Sequence, residues 1–279
     1  MGLATLRNGF LQGALVTGAA MFLSGIAMWF FMGTTAPVIV FMMVTGLPIL
    51  LLAATLRHTR SLGTTMAVAG LCAAAGVIVL HVGIDDPLAW WRDRLHGILM
   101  PSGHASGIDT RTVERLEALI EALAPMMTAL PAGIMFGAIL VLFLARWWHA
   151  ILDNPAGFRD EFHGLRLDSR LAVLATIVLG FSIFVDQAGG ISDSFLQIFV
   201  ILYLFQGLAV FHGIIAARGA SHLWLVLLYL LLVFDLLGLS RGVLNIPDIP
   251  MIFLVITGIM DTWFDFRARV MDKQRAREQ

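Results

Sequence analysis

The chain is poor in cysteine and in charged residues, and each scarcity excludes a class of protein. Its 279 residues include one cysteine, Cys72, which excludes an intramolecular disulfide and a multi-cysteine metal site. Charged residues make up 13% of the chain, whereas a soluble domain has roughly 25%. The net charge of −1 provides no basic excess for nucleic acid. An ordinary water-soluble domain and a nucleic-acid binder are therefore both excluded.

Long apolar runs occupy most of the chain. Hydrophobic residues make up 59% of it, and about 20 helical residues are enough to cross a bilayer. Helices are favoured because backbone groups in lipid must be paired within the segment, and no barrel-like alternation of apolar residues is present. We predict an all-α, polytopic transmembrane helix bundle that forms a single membrane domain over residues 1–279. The expected spans, about eight, are 10–32, 34–56, 63–82, 123–145, 170–187, 194–217, 222–240 and 249–266.

The distribution of arginine predicts the orientation. With both termini inside, thirteen of the eighteen basic residues are cytoplasmic, including those of the tail 267–279. The loop 83–122 carries seven acids and four arginines, which indicates the non-cytoplasmic side. We therefore expect a multi-pass protein of a bacterial inner membrane with both termini in the cytoplasm.

Two of the connecting segments are expected to contain amphipathic helices. The external loop 83–122 contains two of them, one at Asp86–Leu99 and one at about 110–122. The cytoplasmic elbow 148–169 contains a third, with Phe158 and Phe162 on its apolar face. These two phenylalanines are candidate contacts for a partner protein. The alternative is a helix that rests among the lipid headgroups.

Two short motifs suggest enzymes, but neither has the other residues that its chemistry needs. Pro101-Ser102-Gly103-His104 matches the central motif of membrane phosphatidic-acid phosphatases. Their upstream lysine motif is missing, and Pro247 stands where a second histidine is needed. Ser106 follows His104 in a manner similar to intramembrane serine proteases, but in a polar loop. We predict no enzyme activity, no catalytic residue, no cofactor and no metal site.

Ionisable residues inside spans are better indicators of function, because burying a charge in lipid costs several kcal/mol. Asp235 lies deep in the seventh span, and Asp186 and Gln187 close the fifth span on the same side. Arg241 and Asn245 follow the seventh span. These five residues are candidates for a pocket that binds a small molecule from outside. The alternative is an internal polar contact that satisfies one acid.

Small residues recur at helical spacing on the first span, where Ala14 and Gly18 form a small-xxx-small pair. Such a face lets two helix backbones approach closely. The neighbouring helix belongs either to this chain or to a membrane partner subunit.

Two stretches of the chain resemble the YybS-like family of bacterial membrane proteins. They are Asn154-Pro155-Ala156-Gly157-Phe158-Arg159-Asp160-Glu161-Phe162 with Leu165-Arg166-Leu167, and Gly258-Ile259-Met260-Asp261-Thr262-Trp263-Phe264-Asp265-Phe266-Arg267. That family is similar, distantly, to the substrate-binding S-components of energy-coupling-factor transporters. The resemblance implies that Ala14 and Gly18 dock a coupling subunit and that the substrate binds near Asp186 and Asp235. S-components usually have six spans, whereas this chain is expected to have eight.

Two functions remain open from the sequence. The first is a transporter, or an S-component-like transporter subunit, that binds an unidentified small molecule from the outer side. The second is a non-transporting scaffold or accessory subunit that organises partner proteins in the lipid bilayer. A ligand-sized outer cavity around Asp235 would favour the first, and a stable partner bound to a bundle without such a cavity would favour the second.

Overall fold

The structure is a computed structural model that describes residues 1–100, 109–184, 190–236 and 249–270. Throughout these ranges the regular structure is helical and contains no strand. Five helices are long and apolar enough to cross a membrane, and three shorter helices are also apolar. The chain is therefore an all-α protein of the multi-pass membrane type, as its composition predicts.

The helices are numbered here in chain order. They are α1 (Gly2–Asn8), α2 (Phe10–Met32), α3 (Ala36–Phe41), a π-helical turn (Met42–Gly46), α4 (Leu47–Thr59), α5 (Leu62–Gly83), α6 (Pro87–Leu99), α7 (Thr110–Thr128), α8 (Leu130–Asp153), α9 (Gly157–His163), α10 (Ser169–Phe184), α11 (Ile191–Arg218), α12 (Leu223–Leu236) and α13 (Ile249–Phe264). The five long crossings are α2, α3 with α4, α5, α8 and α11.

The fourth apolar helix begins later than predicted. The expected span was 123–145, whereas α8 covers Leu130–Asp153. The amphipathic helix α7 continues through Pro125 to Thr128, and the helical structure is interrupted at Ala129. The break falls there because Pro131 fits the first turn of α8, where its missing N–H has no intrahelical partner to lose.

The helices α6 and α7 of the acidic loop pack against each other. Asp86 caps α6 by accepting a hydrogen bond from the N–H of Ala89 at 2.9 Å, as an acidic N-cap predicts. Arg92 of α6 forms an ion pair with Glu121 of α7 at 2.7 Å. The hydrogen bond that Arg92 donates within this pair lowers the pKa of Glu121. Within this loop, α6 and α7 therefore lie side by side.

The short helix α1 was not predicted, and it packs against α2, α4 and α8. Thr5 and Leu6 are buried there. The chain then reverses at Gly9, whose φ of 100° is accessible mainly to glycine, and continues as α2. The hydropathy pattern missed α1 because seven residues are too few to form a span.

The centre of the bundle is α11, which contacts α5, α8, α10 and α13. In the most apolar 18-residue stretch of α11, 56% of the residues are buried, whereas none is buried in the corresponding stretch of α2. The two long helices therefore differ in role. One forms the core, and the other lies at the edge of the bundle.

Two glycines allow α11 and α13 to cross in backbone contact. A Cβ atom added at Gly207 of α11 would collide with the carbonyl oxygen of Leu254, and one at Gly258 of α13 would collide with that of Tyr203. Gly258 lies in the second stretch that resembles the YybS-like family. Its small size is what the close packing of these two helices requires.

We expect Gly207→Ala and Gly258→Ala each to lower the free energy of unfolding by about 1–3 kcal/mol, because the added methyl group overpacks the crossing. Thermal unfolding in detergent micelles measures the loss. The matched control is Gly137→Ala in α8, where an added Cβ meets nothing within 4 Å. Equal unfolding temperatures for all three variants would contradict the close crossing.

Candidate functional site

Most of the predicted outer pocket falls outside the described residues. Asp186, Gln187, Arg241 and Asn245 all lie there, so the pocket around them stays a prediction. Asp235 is described, and it is the one charged residue of α12. Its atom Oδ2 is buried and has no hydrogen-bond partner among the described residues. A carboxylate oxygen in this state lacks the compensation that burial normally demands.

A second group of charges surrounds Asp261, which is fully buried near the end of α13. Its Oδ2 accepts a hydrogen bond from the guanidinium of Arg267 at 2.7 Å, and its Oδ1 accepts one from the N–H of Phe266 at 3.0 Å. Arg267 also donates to the carbonyl oxygens of His163 and Leu165. Both oxygens of the buried carboxylate are therefore satisfied.

Arg166 connects the elbow to the same helix end. It donates to Asp265 at 2.9 Å and to the carbonyl oxygen of Asp261 at 2.9 Å. Burial acts to raise the pKa of Asp265, but the hydrogen bonds from Ala268 and Arg166 outweigh it, so this pKa is lowered. Asp265 is therefore held as the anion that Arg166 requires.

Gln206 connects its own helix, α11, to the end of the elbow and to α13. Its side-chain oxygen accepts from the N–H of Leu167 at 2.9 Å, and its amide nitrogen donates to the carbonyl oxygen of Gly258 at 2.7 Å and to Thr262 at 3.1 Å. We call this network the polar clamp; it consists of Arg166, Gln206, Asp261, Asp265 and Arg267. Because its groups bond to one another, the polar clamp is suited to holding helices together and leaves little for a ligand to bind.

The polar clamp joins the two stretches that carry the family resemblance. Asp261 and Arg267, which form an ion pair at 2.7 Å, both lie in the second stretch. Sequence reasoning missed Arg166, which lies 99 residues from its acidic partner. It also assigned no site to Gln206. The polarity of Gln206 within an apolar span was the signal available for it.

The four predicted docking residues occupy two different environments. Gly18 is exposed on the wall of an apolar groove of about 510 Å³ between α2 and α3, and Ala14 is half-buried. Phe158 and Phe162 are half-buried and pack on Phe143 of α8, with ring centroids 5.8 and 5.7 Å apart. The contacts of the two rings favour internal packing, and their role in docking a partner stays a prediction.

Histidines line a separate cavity of about 390 Å³ between α9, α11 and α12. His212 lies 2.9 Å from the hydroxyl of Tyr229, and His163 is nearby with its ring centroid 6.2 Å away. Burial and then the charge of Arg159 lower the pKa of His163, which favours its neutral form. Over the described ranges, no three His, Cys, Asp or Glu side chains are grouped to hold a metal ion. The motif around His104 falls outside those ranges.

Breaking the pair between Asp261 and Arg267 should cost about 3–5 kcal/mol of stability, because the remaining charge is left buried without a partner. We expect this loss for Asp261→Ala and for Arg267→Ala. The double variant should lose less than the sum of the two. Unfolding in micelles measures all three, with Arg170→Ala, an exposed arginine, as the control. Additive losses in the double variant would show that the two residues act independently.

Comparisons of the chain with protein-family models, with curated proteins and with solved structures found no match. The resemblance to the YybS-like family therefore stays a prediction from the two motifs. The contact between those motifs is a separate observation, because it comes from the hydrogen bonds of Arg166 and Arg267.

Proposed function

We propose that the chain is a bacterial inner-membrane transporter, or a transporter subunit similar to S-components, that binds a small molecule from the outer side. The observation that carries the proposal is the buried oxygen of Asp235, which has no hydrogen-bond partner in the part of the chain that the structure describes. An ionisable group within a membrane helix is expensive and is by default a candidate functional group.

The chemistry of Asp235 limits what it binds. A carboxylate offers only hydrogen-bond acceptors, so its natural ligand is a cation or a group that donates hydrogen bonds. The rest of α12 is apolar, and no other charged side chain on that helix is present to fill this role. The proposed small molecule therefore carries an amine or another N–H or O–H donor.

The position of Asp235 along α12 fits binding from the outer side. It lies twelve residues after Leu223, or roughly 18 Å along the helix axis. In a hydrocarbon layer of about 30 Å, that distance from the arginine-rich side passes the midplane. The arginine-rich side is the proposed cytoplasmic side.

The proposed topology has eight crossings and two cytoplasmic termini. Five crossings are the long helices, and the other three are α10, α12 and α13. The three short helices have 14 to 16 residues in the described ranges. Extension of the helices beyond these ranges, or local thinning of the bilayer, would allow each to cross.

The second candidate function is a non-transporting scaffold or accessory subunit, and the position of α2 favours it. This helix buries only Gly13. Its groove with α3 presents Gly18 and Gly25, which leave room for another helix. A partner subunit docked there would use the small residues that the sequence predicts for docking.

The topology is tested with single cysteines in a Cys72→Ala background, labelled in intact cells with a membrane-impermeant thiol reagent. Thr112→Cys in α7 should label, because its loop is proposed to face outward. Ser221→Cys, between α11 and α12, should label only after the membrane is opened. Both positions are exposed, so access depends on the side of the membrane. The reverse pattern would invert the proposed topology.

The binding function is tested by screening small amines for their effect on thermal unfolding of the purified chain. A ligand present at 100 times its dissociation constant should stabilise the protein by about 2.7 kcal/mol. We expect this stabilisation to disappear in Asp235→Asn, which keeps the shape of the side chain and removes its charge. Asp109→Asn, at an exposed position outside α12, is the matched control and should respond as the wild type does.

A hit that stabilises Asp235→Asn as strongly as the wild type would remove Asp235 from the site. The absence of any stabilising amine, together with a membrane protein that co-purifies in fixed ratio, would support the scaffold function. Loss of that partner in Gly18→Leu would then assign the contact to α2.

A further inference from the structure

A polar cavity of about 380 Å³ lies where α1, α4, α8 and α9 meet. Its polar lining residues are Arg7, Arg57, Arg60, Arg146, His149 and Glu161. Four arginines and one glutamate leave a formal charge of +3 with the histidine neutral. The volume falls within the range of about 300–1,000 Å³ that is usual for small-molecule sites. The positive charge of this cavity is opposite in sign to the charge of Asp235.

Arg57 is fixed in this cavity without losing its charge. Its Nη1 donates to the carbonyl oxygens of Leu6 and Arg7 at the end of α1. These acceptors are neutral, so they orient the guanidinium and do not neutralise it. The fixed orientation lowers the conformational entropy that the side chain would lose on binding an anion.

Two further arginines of the cavity have no acidic partner among the described residues. The side chains of Arg7 and Arg60 make no ion pair or hydrogen bond in the part of the chain that the structure describes. Arg60 occupies the left-handed C-cap of α4 with φ of 52°, a position where glycine is the usual residue. Arg146, by contrast, is paired with Glu161. Three positive charges therefore remain available.

We infer that this cavity binds a phosphate group. A phosphate offers several acceptor oxygens in different directions, which matches guanidinium donors arriving from α1 and from the end of α4. Arginine suits this ligand because its planar donors bond phosphate oxygens in pairs. The phosphate belongs either to the headgroup of an anionic lipid or to a free phosphate ion, and the two share the recognition chemistry.

The site is independent of the proposed transport function. It lies at the arginine-rich ends of the helices, whereas Asp235 lies far along α12. Failure of one proposal therefore leaves the other standing. The adjacent apolar surface of α2, almost all of it exposed in the protein, is where the chains of a bound lipid would lie.

The test uses the purified full chain in non-ionic detergent and two probes, inorganic phosphate and short-chain phosphatidic acid. Binding is followed by thermal unfolding and, for the lipid, by mass spectrometry of the intact complex. We expect saturable binding by the wild type. The double variant Arg7→Gln/Arg60→Gln should bind at least about tenfold more weakly, because two cationic hydrogen-bond donors to the phosphate are lost.

The matched control is Arg218→Gln, an exposed arginine at the end of α11 that does not line the cavity. It should bind as the wild type does. Binding of the lipid alone identifies a headgroup site, and competition between lipid and inorganic phosphate identifies a site for either source. Short-chain phosphatidylcholine measures binding that does not need the anionic headgroup.

The proposal is overturned if neither probe binds, if the double variant binds with wild-type affinity, or if the control loses as much affinity as the double variant. The unfolding temperature of each variant without ligand establishes that it is folded. Should the double variant fail to fold, the single variant Arg60→Gln replaces it in the test, because the Arg60 side chain makes no hydrogen bond or ion pair among the described residues.

Discussion

An ionised group inside this protein needs a partner of its own, because the hydrocarbon around the bundle provides none. Asp261 meets this requirement most completely. It is fully buried, it binds Arg267, and Arg267 in turn holds the carbonyl groups of the elbow. The arrangement of α9, α11 and α13 depends on this pairing. A change in any one of the three segments would leave a charge or a carbonyl group without compensation.

The polar clamp and the glycine crossing act on the same pair of helices. Gln206 and Gly207 are neighbours on α11, and each contacts α13, one by hydrogen bonds and the other by close packing. In lipid the hydrophobic effect does not bring helices together, so packing and hydrogen bonding must do so. Both are concentrated near one turn of α11, which explains why this helix forms the core of the bundle.

The sequence was sufficient to predict the five long apolar helices, although the bounds of α8 differ, because an apolar run of about 20 residues has one stable form in lipid. It also singled out Asp235, since charges are rare in such runs. It did not predict that Arg166 joins the polar clamp, or that Arg7, Arg57 and Arg60 meet at one cavity. Hydropathy establishes that a segment lies in the membrane, but which faces meet depends on packing between distant segments.

The position of α2 determines how the protein responds to bilayer thickness. Its 23 residues span about 34 Å, slightly more than a hydrocarbon layer of about 30 Å. The other long helices bury part of their surface against their neighbours, whereas α2 buries almost nothing and is bounded by glycines at both ends, Gly9 and Gly33. We therefore expect a change in membrane thickness to alter the tilt of α2 more than the packing of the buried helices.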